Sequence, residues 1–126
     1  MTNPAPTETL PSRAALGLRR AAPVPAESCP MARAADTLGD RWTLLILRQC
    51  FYGVGRFEDI QSGIGISRAV LSERMSRLVG EGLLAKARYR NPGDRAREAY
   101  VLTERGRSLT PVFLAMREWG AAQAGS

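Results

Sequence analysis

The segment ISRAVLSERMSRLVGEGLL, residues 66–84, carries Arg68, Arg74 and Arg77 among apolar residues at helical spacing. Arginine does one kind of chemistry especially well. Its planar fork of donors grips phosphate oxygens or the O6 and N7 edge of guanine. A second basic cluster follows, where Lys86, Arg88, Arg90, Arg95, Arg97, Arg105 and Arg107 stand against Asp94, Glu98 and Glu104. Seven minus three is +4, two-thirds of the chain's formal charge of +6. Cys29 is a third candidate. Just ahead of Pro30, a thiol at a helix start faces the positive end of the helix dipole, which favours the thiolate, and Arg33 adds positive charge. It is either a reactive sensor or a small packed residue. Cys50 ends an apolar segment and reads as buried filler.

Other chemistries lack their residues. The chain has no histidine, and two cysteines alone cannot complete a zinc site. GVGRFE (53–58) hints at a dinucleotide loop, but Glu58 replaces the third glycine and the preceding segment reads as helix. No enzyme, cofactor or metal is expected. The 126 residues suit one domain with an appended tail, and a sequence pI near 10.3 favours an anionic partner, nucleic acid before a membrane surface. A solvated basic surface is the plain alternative. No apolar run approaches the roughly 20 residues of a membrane span. Leu16 and Leu18 are broken by Arg19 and Arg20, unlike a signal peptide. The expected location is therefore cytoplasmic, on the nucleoid.

Residues 1–28, with Pro4, Pro6, Pro11, Pro23 and Pro25, read as a flexible Pro/Ala-rich arm. Pro30 then opens a helix that Gly39 stops. Residues 41–52 form a buried helix, and 56–64 a short one with Phe57, Ile60 and Ile64 inward. After a tight turn, Ser67 caps a helix reaching about residue 80. Alternating residues on either side of NPGDRA (91–96) form a hairpin, on which Tyr89 and Tyr100 pack toward the core. Thr103 caps one final helix, weakened in its first turns by Pro111. The expected fold is mainly α with a small β-hairpin (α+β). Two helices across a short turn, then a hairpin, make a winged helix-turn-helix over residues 29–122, with 123–126 as a tail.

CPMARAADTLGDRWTLLIL, GRFEDIQSGIGISRAVLSERMSRLVGEGLL and YVLTERGRSLTPVFLAMREWG together resemble the HxlR-type branch of MarR-like bacterial transcription regulators. The resemblance covers residues 29–120. It implies a homodimeric winged helix that puts one recognition helix per subunit into the major groove, with the N- and C-terminal helices forming the dimer interface. It also implies regulation of neighbouring genes, in some members by an electrophile or oxidant acting on the cysteine that is Cys29 here. Ala69, Ser76 and the REAY of the wing depart from the family pattern, which bears on the operator sequence.

On a helical wheel with Leu71 at zero and steps of about 100°, Leu78 and Met75 share the core face and Arg74 falls near −60°. Ala69, Ser72, Glu73, Ser76 and Arg77 point outward on this reading. Arg68 enters the groove from the first turn beside Ser67. Arg74 is structural, its stem on apolar surface and its head reaching Glu58 or Asp59. Glu73 accepts from a cytosine amino group, holds an arginine or stays solvated. In the wing (90–97), Arg95 and Arg97, with Arg90 behind them and Asn91 at the tip, lie along the DNA backbone or minor groove.

The final helix carries Leu109, Val112, Phe113, Met116 and Trp119, an apolar set with little core left to cover, which marks a dimer interface. The expected function is a homodimeric repressor on an inverted-repeat operator, with double-stranded DNA, a second copy and an electrophile or oxidant as partners. The alternative is a winged-helix protein-interaction module without sequence-specific DNA binding.

Overall fold

Asp40 shows how local chemistry sets the architecture. Its side chain accepts from the Thr43 amide, capping the helix that begins at Arg41, while Gly39 ends the helix before it. In this computed structural model residues 24–89, 92–93 and 97–124 are described. The expected arm lies mostly outside them, but Ala26–Ser28 form a 3-10 turn that leads into the first helix. The chain divides between Ala34 and Ala35, and the longer part carries the domain.

The order is α1 (Pro30–Leu38), α2 (Arg41–Phe51), α3 (Phe57–Ile64), α4 (Arg68–Gly80), β1 (Leu84–Tyr89), β2 (Arg97–Leu102), α5 (Glu104–Arg107) and α6 (Thr110–Ala124). This is the winged helix-turn-helix expected from the sequence. Gly65 closes α3 in the left-handed conformation, with φ of 71°, which a side chain would strain. Ile66 is buried in the turn, and Ser67 caps α4 by accepting from the Val70 amide at 3.3 Å. The core collects Ile46, Leu47 and Cys50 from α2, Ile60 from α3, Leu71, Met75 and Leu78 from α4, and Leu83 and Leu84 where β1 begins. The contributions of α2 and α4 each fall on one stripe at the 3.6-residue period.

The two strands pair antiparallel from Leu84 opposite Leu102 to Tyr89 opposite Arg97, so residues 90–96 connect them. Tyr100 packs against the core as expected, while the side chain of Tyr89 lies outside the described set. The Tyr100 amide donates to the Gly55 carbonyl at 2.7 Å, seating β2 on the loop after α2. At the hairpin's base Thr103 Oγ1 donates to the Gly82 carbonyl at 2.6 Å, and the Gly106 amide donates to Thr103 Oγ1 at 3.0 Å.

The last helix is the main departure. The sequence reads as one helix from Thr103 with Pro111 inside it, but the chain forms a short α5 and restarts at Thr110. Pro111 lacks an amide hydrogen and crowds the preceding turn, so it sits in the first turn of a new helix rather than in the middle of a longer one. The α6 helix also runs to Ala124, past the expected boundary at 122.

Candidate nucleic-acid interface

The recognition helix α4 separates its residues by neighbour as well as by angle. Ser67, Arg68, Ala69, Ser72, Glu73 and Ser76 are all exposed. Arg68 is braced, its Cζ 5.1 Å from the centroid of the Phe57 ring on α3. A cation held over an aromatic face keeps its outer donors free while losing less freedom on binding.

Arg77 overturns the wheel reading. It does not point outward: it is half-buried, and its Nη2 donates to Thr43 Oγ1 at 3.0 Å on α2. Its Nε is buried without a hydrogen-bond partner among the described residues. The wheel places Arg77 within about 20° of Val70, which is half-buried too, because the first turn of α2 covers that flank of α4. A long side chain beside such a flank folds onto it.

Arg74 is structural, as expected, but its partner is different. Its Nε donates to Asp40 Oδ2 at 2.9 Å and its Nη2 to Asp40 Oδ1 at 3.3 Å, not to Glu58 or Asp59. The same guanidinium pairs through Nη1 with Glu73. Thr43 Oγ1 donates to Asp40 Oδ2 at 2.9 Å, so Asp40 ties the start of α2 to the middle of α4. The Asp-x-x-Thr pattern after Gly39 is a helix-start signal that identifies Asp40 as a cap in the sequence; its second role, gripping Arg74, needs the packed helices.

The hydrogen bond from Arg74 holds the Asp40 carboxyl well below the usual carboxylate range, with smaller help from the Thr43 amide and hydroxyl against the cost of burial. A carboxylate whose folded pKa is lowered contributes stability in full above its unfolded value, about 3.9, and loses it as the pH falls. Arg74→Gln is therefore expected to destabilise the domain at pH 6 and to flatten the fall in its urea midpoint below pH 4. Parallel pH profiles for the variant and wild type would rule out the pair as the source of that dependence.

Of the wing, Arg90, Asn91 and Arg95 lie outside the described residues, and Arg97 is described only through its backbone pairing with Tyr89. On the strands Lys86 and Glu98 pair across 4.0 Å with both side chains more than half exposed, an ion pair of little energetic weight.

At the start of α1, Cys29 is extended, with φ of −86° and ψ of 126°, and its carbonyl accepts from the Arg33 amide at 3.0 Å. It therefore occupies the expected cap position. It is half-buried, and both cysteines are free thiols. Burial pushes the Cys50 thiol up to about 12, which leaves it protonated at neutral pH.

The five apolar residues expected at a dimer interface divide into two groups. Leu109 and Phe113, four residues apart, pack toward the domain's own core, and the Phe113 ring lies 4.8 Å from that of Phe51. Val112, Met116 and Trp119 face away, with Trp119 70% exposed. Beside them a groove of about 380 Å³ runs between α2 and α6, lined by Leu44, Leu45, Phe51, Phe113, Leu114 and Met116.

A helix-turn-helix whose second helix bears an exposed polar face, followed by an antiparallel hairpin, defines the winged helix-turn-helix class. Within that class the chain belongs to the HxlR-like helix-turn-helix family, whose model matches residues 37–126. An uncharacterized HTH-type transcriptional regulator of Mycobacterium tuberculosis is 43% identical over 88 residues, 70% of this chain and 54% of that protein. The chain thus spans about half the length of that relative. Among solved structures, the reduced form of the transcriptional regulator YodB from Bacillus subtilis is 32% identical, with a TM-score of 0.62 over 74% of this chain and 91% of that one. The redox regulator HypR in its reduced form is 26% identical, with a TM-score of 0.66 over 76% and 94%. The Mycobacterium tuberculosis relative and YodB are transcriptional regulators. No helix among the described residues is long and apolar enough to cross a membrane.

Proposed function

We propose that this protein is a homodimeric repressor acting in the cytoplasm on an inverted-repeat operator. The exposed, polar face of α4 from Ser67 to Ser76, ending in no apolar cover, is the observation that carries the reading. Arg68, braced on Phe57, meets a base or a phosphate from the start of the helix, and Ser67, Ala69, Ser72, Glu73 and Ser76 line the groove. Arg77 acts through the scaffold, since its guanidinium is engaged with Thr43. Arg90, Asn91, Arg95 and Arg97 contact the backbone beside the groove. Two subunits join through the outward face of α6, where Val112, Met116 and Trp119 leave apolar surface exposed. Half-sites then lie about one DNA turn apart or a multiple of it.

Cys29 is the sensing thiol in this reading. Its position at the start of α1 and the likeness to the redox regulator HypR support that role, with an electrophile or oxidant as effector. Cys50 is held protonated and does not compete.

The test is footprinting on the DNA upstream of the gene, with and without diamide. Wild type is expected to protect an inverted repeat and release it on oxidation, and Cys29→Ser to stay bound. Arg68→Ala should weaken operator binding by about 1–3 kcal/mol if it reads a base. Arg95→Ala should weaken binding to all sequences alike and reduce the salt slope by about one. A winged helix used for protein contacts alone would show no preference for the upstream DNA.

A further inference from the structure

We propose that Glu73 is a specificity-determining residue of α4, held by Arg74 and Asp40 so that its carboxylate accepts a hydrogen bond from the exocyclic amine of a cytosine in the major groove. The inference rests on the DNA-binding reading above and deepens it. Glu73 is 53% exposed, between Ala69 one turn before it and Ser76 one turn after, so its own helix does not screen it. A carboxylate on a DNA-facing surface repels phosphate and, left alone, turns toward solvent. Here it is not left alone. Arg74 spends three donors at once: Nε and Nη2 on Asp40 and Nη1 on Glu73.

A guanidinium is planar, so fixing one edge on Asp40 fixes the direction of the other. Asp40 is in turn fixed by the Thr43 amide and hydroxyl, and Thr43 by Arg77. The position of the Glu73 carboxylate is thereby set by the α2 scaffold. Arg74 takes Oε1 and leaves Oε2 as an acceptor. Arg77 balances the second carboxylate in charge, but it is turned inward to Thr43, so the group that this cluster presents to the groove is the exposed Glu73 carboxylate. This spot on the helix therefore suits a hydrogen-bond donor rather than a phosphate. The donors in the major groove are the amines of cytosine and adenine. Adenine sets its N7 acceptor beside the amine, which a carboxylate meets unfavourably, whereas cytosine does not.

The experiment is selection of the full chain on a random duplex pool, read by sequencing, with titrations on the selected site and on unrelated duplex. Wild type is expected to prefer cytosine at one position of each half-site by about fivefold to tenfold, the lower part of the range for a base contact. Glu73→Gln keeps the shape but puts a donor where the free acceptor stood, and should abolish the cytosine preference at that one position while every other position holds. Glu73→Ala should flatten the position and tighten binding to unrelated duplex. Arg74→Lys keeps the charge but loses the fork, and should reduce the cytosine preference severalfold without altering the rest of the profile, a readout that mere loss of stability would not produce. Selected sites that are identical for wild type, Glu73→Gln and Glu73→Ala would overturn the proposal while leaving DNA recognition in place. Enrichment of no sequence by wild type would remove the DNA-binding reading and this proposal with it.

Discussion

Gly106→Ala is expected to cost the domain about 3 kcal/mol or more, at or beyond the upper end of ordinary overpacking. A Cβ at that position would lie 2.2 Å from the Leu83 carbonyl oxygen and 3.0 Å from Leu102 Cδ2. The obstacle is backbone, which cannot rotate aside as a side chain can. The Leu83 carbonyl also accepts from the Thr103 amide at 3.1 Å, so moving α5 away loosens the base of the hairpin along with the helix. Urea titration followed by circular dichroism measures the loss. Gly80→Ala on α4 is the natural comparison, since nothing lies within 4 Å of its added methyl. Gly80 is the last residue of α4, so alanine there should stabilise by no more than about 0.5 kcal/mol, the low end of the helix-propensity difference. Equal midpoints for the two variants would show that the close approach at Gly106 does not hold in solution.

Leu71→Ala should cost about 2–5 kcal/mol, the range for deleting a fully buried leucine and leaving a cavity. Leu71 is 0% exposed and sits midway along the core face of α4, in the cluster with Ile46, Leu47 and Leu78. Against a total stability on the order of 5–15 kcal/mol, that is a large share. Loss of this anchor should loosen the seat of α4 and lower the urea midpoint in proportion. Ser72→Ala, next in sequence and exposed, should leave the midpoint within about 0.5 kcal/mol. A Leu71→Ala midpoint within that same margin would mean that α4 is not seated through Leu71.

Much of the fold was legible because its signals are local. The Ser67 and Thr103 caps, Gly65 ending α3, and the apolar stripe of Leu71, Met75 and Leu78 each depend on residues within one or two turns. The alternation on either side of residues 91–96 likewise marked the hairpin, whose described strands pair as far as Tyr89 opposite Arg97. The break before Pro111 was half-visible. Proline announces a disturbance, but whether the chain kinks or restarts depends on what holds the flanking turns, here the packing of Gly106 on Leu83.

By itself, then, the sequence determined the order of elements up to the break before Pro111, the core face of α4 and the polar character of the surface opposite it, because periodicity and capping act over a few residues. The tertiary structure alone decided which partners the three arginines of residues 66–84 hold, and that Arg77 turns inward. Arg68 leans on Phe57, Arg74 bridges Asp40 and Glu73, and Arg77 turns inward to Thr43. An arginine side chain reaches farther than the width of a helix face, so its direction follows the nearest acceptor rather than its angle on the wheel. The long-range acceptors of Arg74 and Arg77, Asp40 and Thr43, lie at the start of α2, 34 residues earlier in the chain than the arginine each one meets.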